Sequence, residues 1–185
     1  MNTDRHLIEK TISSETIYEG KIIKVKLDEV LLPDGKKAKR EIVTHPGAVA
    51  VLALTDDNKM VAVRQFRKPL ERTIVELPAG KLEPGEEPLT CAKRELQEET
   101  GYQASHFVHL SSFYTSPGFA DELLHLYLAT GLKPGPARPD EDENVEVLEL
   151  SLEEAHELHA QGEIGDAKTV LALFAWENRM WKARG

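Results

Sequence analysis

The chain has 185 residues, of which 41% are hydrophobic and 30% charged, and its formal net charge is −9. Such a balance describes one soluble globular domain, or one domain with a smaller appendage, with enough apolar residues for a proper core. The acidic excess argues against a general binder of nucleic acid or membrane surfaces, but it leaves room for an anionic substrate approached through divalent cations.

The opening stretch MNTDRHLIEK has no apolar core of the kind a signal peptide needs, and no apolar run approaches the length of a membrane span. Cys91 is the only cysteine, which leaves no disulfide framework and no cysteine-based zinc site within a chain. The seven histidines are scattered and none shows zinc spacing. Together these features point to the cytoplasm.

In chain order, 16-TIYEGKIIKVKLDEVLL-32 is rich in β-formers and Pro33-Asp34-Gly35 is a turn signal. Strand-like KREIVTH follows, so residues 1–44 read as a small N-terminal β-sheet region of two or three strands. Its apolar residues Ile17, Ile22, Val25, Leu27, Val30 and Leu31 need a covering surface. The runs 47-GAVAVLALT-55 and 59-KMVAVRQFR-67 flank Asp56-Asp57-Asn58 as a hairpin, and the first run is apolar enough for a central strand. Residues 72-RTIVELPAG-80 read as one strand ending in a Pro-Ala-Gly loop.

Pro88 suits the first turn of a helix and Gly101 its C-terminal cap, which predicts a helix over 88–100. Strands are expected at about 104–113 and 123–130, joined by the loop YTSPGFADE. An acidic, proline-rich loop, 133-KPGPARPDEDE-143, precedes the strand NVEVLEL. Two helices close the chain: Ser151-Leu152-Glu153-Glu154 is a capping box, and Asp166 can cap a helix to about Lys182. Strands with a few unevenly ordered helices indicate an α+β fold, here a domain over 45–185 with the N-terminal region before it.

The stretch 80-GKLEPGEEPLTCAKRELQEETGY-102 is dense in glutamate. At about 100° per residue, Leu89, Ala92 and Leu96 form an apolar stripe, and Glu95, Glu98 and Glu99 fan over an arc of roughly 100° beside it. The spacings i, i+3 and i+4 bring three carboxylates within reach of one small volume, a donor set that suits Mg²⁺ or Mn²⁺. Arg94 stands four residues before Glu98 and can hold that carboxylate in place. The identities Gly80, Glu86, Arg94, Glu95, Glu98, Glu99 and Gly101 at this spacing arise by chance on the order of once in a million chains.

This pattern resembles the Nudix box of the Nudix hydrolases, departing only at Tyr102, where that family usually has an aliphatic residue. The resemblance implies an α/β/α sandwich on a mixed sheet and hydrolysis of a nucleoside diphosphate linked to another group. It implies Glu95 and Glu99 as the main metal ligands, joined by Glu98 and the Ala79 carbonyl, with Mg²⁺ as the cation and Mn²⁺ as an alternative. Glu86 and Arg94 look like the pair that stiffens the loop and helix. The cations would polarise the phosphoryl oxygens and activate a water.

The segments 65-QFRKPLERTIVELPAG-80 and 115-TSPGFADE-122 look like the ADP-ribose pyrophosphatase branch, where a proline lies about sixteen residues beyond the last glycine of the box, as Pro117 does here. By this resemblance the substrate is ADP-ribose, contacted by Arg67, by Arg40 near the adenine, and by Pro117 and Gly118. Aromatic residues that clamp adenine in several relatives are replaced by Ile22 and Ile23. The base that deprotonates the water is expected in 140-DEDE-143, with Glu141 first and Glu143 second. The resemblance further implies a homodimer built through the N-terminal sheet. Two other readings are a hydrolase of a different ADP-sugar or nucleoside diphosphate derivative and a non-catalytic ADP-ribose sensor.

Overall fold

The computed structural model describes residues 4–137 and 144–184, with side chains described as far as residue 178. The chain divides into two compact units, Met1–Gly47 with Tyr114–Leu123, and Ala48–Phe113 with Leu124–Gly185.

The first unit carries a three-stranded antiparallel sheet of β1 (Lys10–Glu19), β2 (Lys24–Leu31) and β3 (Lys37–Thr44), with β2 in the middle. The run read as β-rich from residue 16 is two strands: the chain reverses between Gly20 and Ile23, where the Gly20 N–H donates to the Ile23 carbonyl at 2.9 Å. β1 begins earlier than its apolar residues, at Lys10, and is exposed along its whole length. Its polar sequence, KTISSETIYE, gives a weak local strand signal, and it is the ladder to β2 that makes it a strand. Of the apolar residues expected to need cover, Val30 is buried, while Ile17 and Ile22 remain about half exposed, at 56% and 50%.

The loop Thr115–Glu122 is tied into this unit. The Val43 N–H donates to the Phe119 carbonyl at 2.8 Å, and the Asp121 N–H donates back to the Val43 carbonyl at 3.2 Å. The His45 N–H donates to Asp121 Oδ1 at 2.8 Å.

The second unit is built on a mixed sheet. Its strands are β4 (Ala48–Leu54), β5 (Met60–Arg67), β6 (Arg72–Glu76), β7 (Ala79–Lys81), β8 (Tyr102–Tyr114), β9 (Leu123–Pro134) and β10 (Val145–Leu150). The order is β10-β5-β4-β9-β8, with β6 also paired to β5 and β7 to β4. β4 and β9 run parallel, from Ala48 opposite Leu124 to Ala53 opposite Ala129, whereas β5 and β7 pair with β4 antiparallel. The strand expected from residue 72 is β6, which leaves β5 at Glu76, but the Pro-Ala-Gly stretch expected as a loop is only partly one: Leu77-Pro78 crosses over, and Ala79–Lys81 forms β7 and joins β4. Pro78 has no N–H to give a ladder, so the pairing breaks there.

All seven residues of β4 are buried, as its apolar run predicts for a central strand. Successive side chains serve opposite cores. Val49, Val51 and Ala53 join Cys91, Ala92 and Leu96 of α1 (Pro88–Thr100). Ala48, Ala50, Leu52 and Leu54 join Ala155 of α2 (Leu152–Ala160) and Ala172, Leu173 and Trp176 of α3 (Ala167–Arg184). Helices therefore cover both faces of the sheet, the α/β/α arrangement expected. Burying each Val or Leu side chain contributes roughly 1.5–3 kcal/mol. Among the described residues, no helix is long and apolar enough to cross a membrane.

Candidate active site

α1 starts where the sequence places it. Pro88 stands in its first turn, and the chain leaves through Gly101 in the left-handed conformation at φ 75°. Its apolar stripe, Ala92 and Leu96 with Cys91, packs on the sheet. That orientation fixes where its glutamates go.

Glu99 is 3% exposed and accepts the Ala79 N–H at 3.0 Å through Oε2. Glu95 lies against β7, and it is so close that a Cβ built on Gly80 would stand 1.8 Å from Glu95 Oε1. Glycine is needed at position 80 because the carboxylate occupies the space of a side chain. Glu98 is the most exposed of the three.

Arg94 organises these groups. Its Nη1 donates to Glu95 Oε1 at 2.7 Å and to Glu98 Oε2 at 3.0 Å. Its Nε and Nη2 hold Glu86 Oε1 and Oε2, both at 3.0 Å, and Nη2 also reaches the Lys81 carbonyl at 3.3 Å. Glu86 in turn accepts the Glu83 N–H at 3.0 Å, so one guanidinium staples the loop 81–87 to the helix. The Arg94 guanidinium holds the Glu86 carboxyl down at about 2, and Glu86 raises Arg94 in return.

Among the described residues, no three His, Cys, Asp or Glu side chains converge as a ready-made metal cage. Two of the three glutamates are turned to Arg94, and the third to the Ala79 N–H. The donor set still fits a hard divalent cation. It offers carboxylate oxygens and the Ala79 carbonyl on one helix and one short strand, and the guanidinium of Arg94 already bridges Glu95 and Glu98.

Arg67 is at the end of β5, as expected, but its fork is engaged. Nε donates to Glu76 Oε1 at 2.6 Å and Nη2 to Glu76 Oε2 at 3.0 Å. Two residues that sequence reasoning missed belong here. Glu76 is 2% exposed, and Lys168 at the start of α3 also donates to its Oε2. Glu76 could have been found as the lone charge in 73-TIVELPAG-80, whereas nothing local marks Lys168.

Arg40, Pro117 and Gly118 belong to the other unit. Arg40 forms a two-point pair with Glu9, through Nε at 2.8 Å and Nη2 at 2.6 Å. Pro117 and Gly118 sit in the loop anchored to β3. Glu141 and Glu143 lie outside the described residues. Tyr102 packs its ring beside the α1 core and donates its hydroxyl to Glu149, a use for the phenol that an aliphatic side chain lacks. Cys91 is fully buried, and burial pushes its thiol up to about 12, which makes it a packing residue.

A family model described as the NUDIX domain matches residues 44–173, and one described as the nucleoside diphosphate sugar hydrolase N-terminal domain matches residues 9–43. The chain is 57% identical over 171 residues to an ADP-ribose pyrophosphatase of Bacillus subtilis (strain 168), covering 91% of this chain and 92% of the relative. It is 56% identical over 167 residues to a methanol dehydrogenase activator of Bacillus methanolicus, covering 89% and 90%. A crystal structure of an ADP compounds hydrolase shares the fold with a TM-score of 0.83, at 22% identity and 97% coverage of each chain.

Proposed function

The chain belongs to the Nudix family, its NUDIX domain spanning residues 44–173, and from that premise we propose that it hydrolyses the diphosphate of ADP-ribose to AMP and ribose 5-phosphate in the presence of Mg²⁺. The observation that carries this reading is the box itself, with all of its charged positions intact: Glu95 and Glu98 share Arg94, and Glu99 of the same helix meets the Ala79 N–H. The 57% identity to an ADP-ribose pyrophosphatase directs it to ADP-ribose. The intact carboxylates also argue against a sensor without turnover.

In the reaction the oxygen of a water joins one phosphorus while the bond from that phosphorus to the bridging oxygen breaks. The bridging oxygen leaves with the other phosphate, and the water's proton passes to a base. Glu95, Glu98, Glu99 and the Ala79 carbonyl would hold the divalent cations, which supply charge neutralisation of the diphosphate and acidification of the water. Arg67 contacts the phosphates with the N–H groups that Glu76 does not use. Arg40, Pro117 and Gly118 contribute the remaining substrate contacts, and Glu141, ahead of Glu143, is the base. The active species is a cytoplasmic homodimer. The half-exposed Ile12, Ile17, Tyr18 and Ile22 of the first unit support that assembly.

Product analysis tests the reading. ADP-ribose, ADP-glucose, NADH and deoxynucleoside triphosphates are offered with Mg²⁺ in ¹⁸O-labelled water. ADP-ribose should be turned over with the highest kcat/KM and give AMP and ribose 5-phosphate, one of them labelled. Preferential cleavage of another substrate in the panel overturns the assignment. The 56% identity to a methanol dehydrogenase activator favours a second, compatible activity. A methanol dehydrogenase assay with and without this chain checks it, and an unchanged rate removes it.

A further inference from the structure

The box accounts for the glutamates of α1, but it leaves unexplained a second buried charge network in the same unit. Glu76 ends β6 at 2% exposure. A carboxylate taken out of water to this degree is strongly unfavourable unless cations and hydrogen bonds replace its hydration. Two cations do so. Arg67 takes both oxygens with its fork, at 2.6 and 3.0 Å. Lys168, only 13% exposed in its side chain, donates to Oε2 from another element.

Lys168 is itself fixed. Its Nζ donates to Asp166 Oδ1 at 2.9 Å. The same oxygen caps α3 by accepting the Thr169 N–H at 3.1 Å. Thr169 Oγ1 accepts the Leu77 N–H at 3.0 Å, next to Glu76 in the chain. The first turn of α3 is therefore bonded to the strand end at the carboxylate and at the following backbone amide. Two carboxylates face two cations, so the network as a whole is neutral, with Arg67 as its most exposed member.

This arrangement bears on Arg67. A guanidinium has five N–H groups in a planar fork, and a bidentate carboxylate fixes that plane. Glu76 engages two of the five, and among the described residues no hydrogen bond takes up the other three. The carboxylate fixes the fork only if its own rotamer is fixed, and Lys168 holds the oxygen that Arg67 shares. Arg67 is raised above its ordinary value first by its bond to Glu76, and the charge of Glu99, a box carboxylate in the same unit, adds to this in smaller measure.

We propose that Lys168 is a positioning residue for the substrate diphosphate: by locking the Glu76 carboxylate from α3, it sets the plane in which Arg67 presents its three uncommitted N–H groups to the phosphates. The inference rests on the reading of Arg67 as a phosphate contact.

A double-mutant cycle tests it. Steady-state hydrolysis of ADP-ribose at saturating Mg²⁺ is compared for the full-length wild type, Lys168→Met, Lys168→Arg, Arg67→Ala and the double variant Arg67→Ala/Lys168→Met. Lys168→Met should raise KM by about tenfold with kcat held within about threefold, and Lys168→Arg should recover most of the loss, as expected for ground-state phosphate binding. In the Arg67→Ala background, Lys168→Met should add nothing further. An unchanged KM in Lys168→Met, or an equal rise in both backgrounds, overturns the proposal. So does a loss of melting temperature with KM unchanged, which assigns Lys168 a structural role only. If Arg67→Ala alone leaves KM at the wild-type value, the reading of Arg67 fails first, and that outcome is separable from the others. Should Lys168→Met not fold, Lys168→Gln, which keeps a donor without the charge, replaces it under the same criteria.

Discussion

Two ionisable residues of the box are displaced from their ordinary values in opposite senses. Arg94 lowers the Glu86 carboxyl from 4.5 to about 2. A depressed carboxylate contributes stability that is fully present above the unfolded value and is lost as pH falls through the folded one. Melting temperature should therefore drop as pH falls from about 4.5 to about 2, and Glu86→Gln should flatten that part of the profile. A variant whose profile overlays the wild type would show that Glu86 is not the group titrating. Burial raises Cys91 to about 12, so the folded chain should resist alkylation at pH 8 and react once unfolded in urea. For the proposed chemistry, Glu99→Gln keeps the shape of a carboxylate that meets the Ala79 N–H. It should lower turnover at least about a hundredfold while the circular dichroism spectrum is retained. Glu141→Gln should lower kcat with little change in KM. A large loss in Glu143→Gln instead would move the base by two residues.

At the level of elements, the two glycines that bracket the box are required for different reasons. Gly101 is left-handed, and a Cβ there would stand 2.5 Å from the Gly135 carbonyl oxygen, which is backbone and yields little. Gly101→Ala should therefore destabilise the fold by more than about 2 kcal/mol, read by urea unfolding, because the strain of the left-handed conformation adds to a backbone clash. Gly80→Ala meets only the end of the Glu95 side chain. It should leave the fold largely intact and abolish most turnover by displacing that carboxylate. At α2, the Ser151 hydroxyl accepts the Glu154 N–H while the Glu154 side chain accepts the Ser151 N–H. Ser151→Ala should cost about 1 kcal/mol of stability with activity unchanged.

For the whole molecule, the first unit presents a strand exposed along its full length, with Ile12, Ile17 and Tyr18 each near half exposure. A three-stranded sheet with so little of its own apolar surface covered is marginal in isolation. The proposed two-fold homodimer should bury more than about 2,000 Å², as obligate interfaces do. Light scattering at micromolar concentration should give twice the chain mass. A monomer mass, or full activity after deletion of residues 1–44, would refute both the dimer and the substrate role of Arg40.

The box and most of the elements around it follow from local sequence pattern. The helix that carries Glu95, Glu98 and Glu99 was legible because their spacing lies within thirteen residues of one helix, and its ends depend on a proline and a glycine whose conformational preferences are intrinsic. The central position of β4 was legible because a strand buried on both faces must be apolar throughout. What answers each charge across the chain depends on how distant elements pack. Arg67 reads as a free guanidinium until β6 brings Glu76 beside it, and Lys168 reads as a solvated helix lysine until α3 docks 92 residues further on. The break at Pro78, the strand character of polar β1 and the anchoring of the Pro117 loop to Val43 were likewise set by partner strands and loops. Local periodicity records which face of an element is apolar. It carries no information about which distant polar group will meet it, because that depends on how the layers pack.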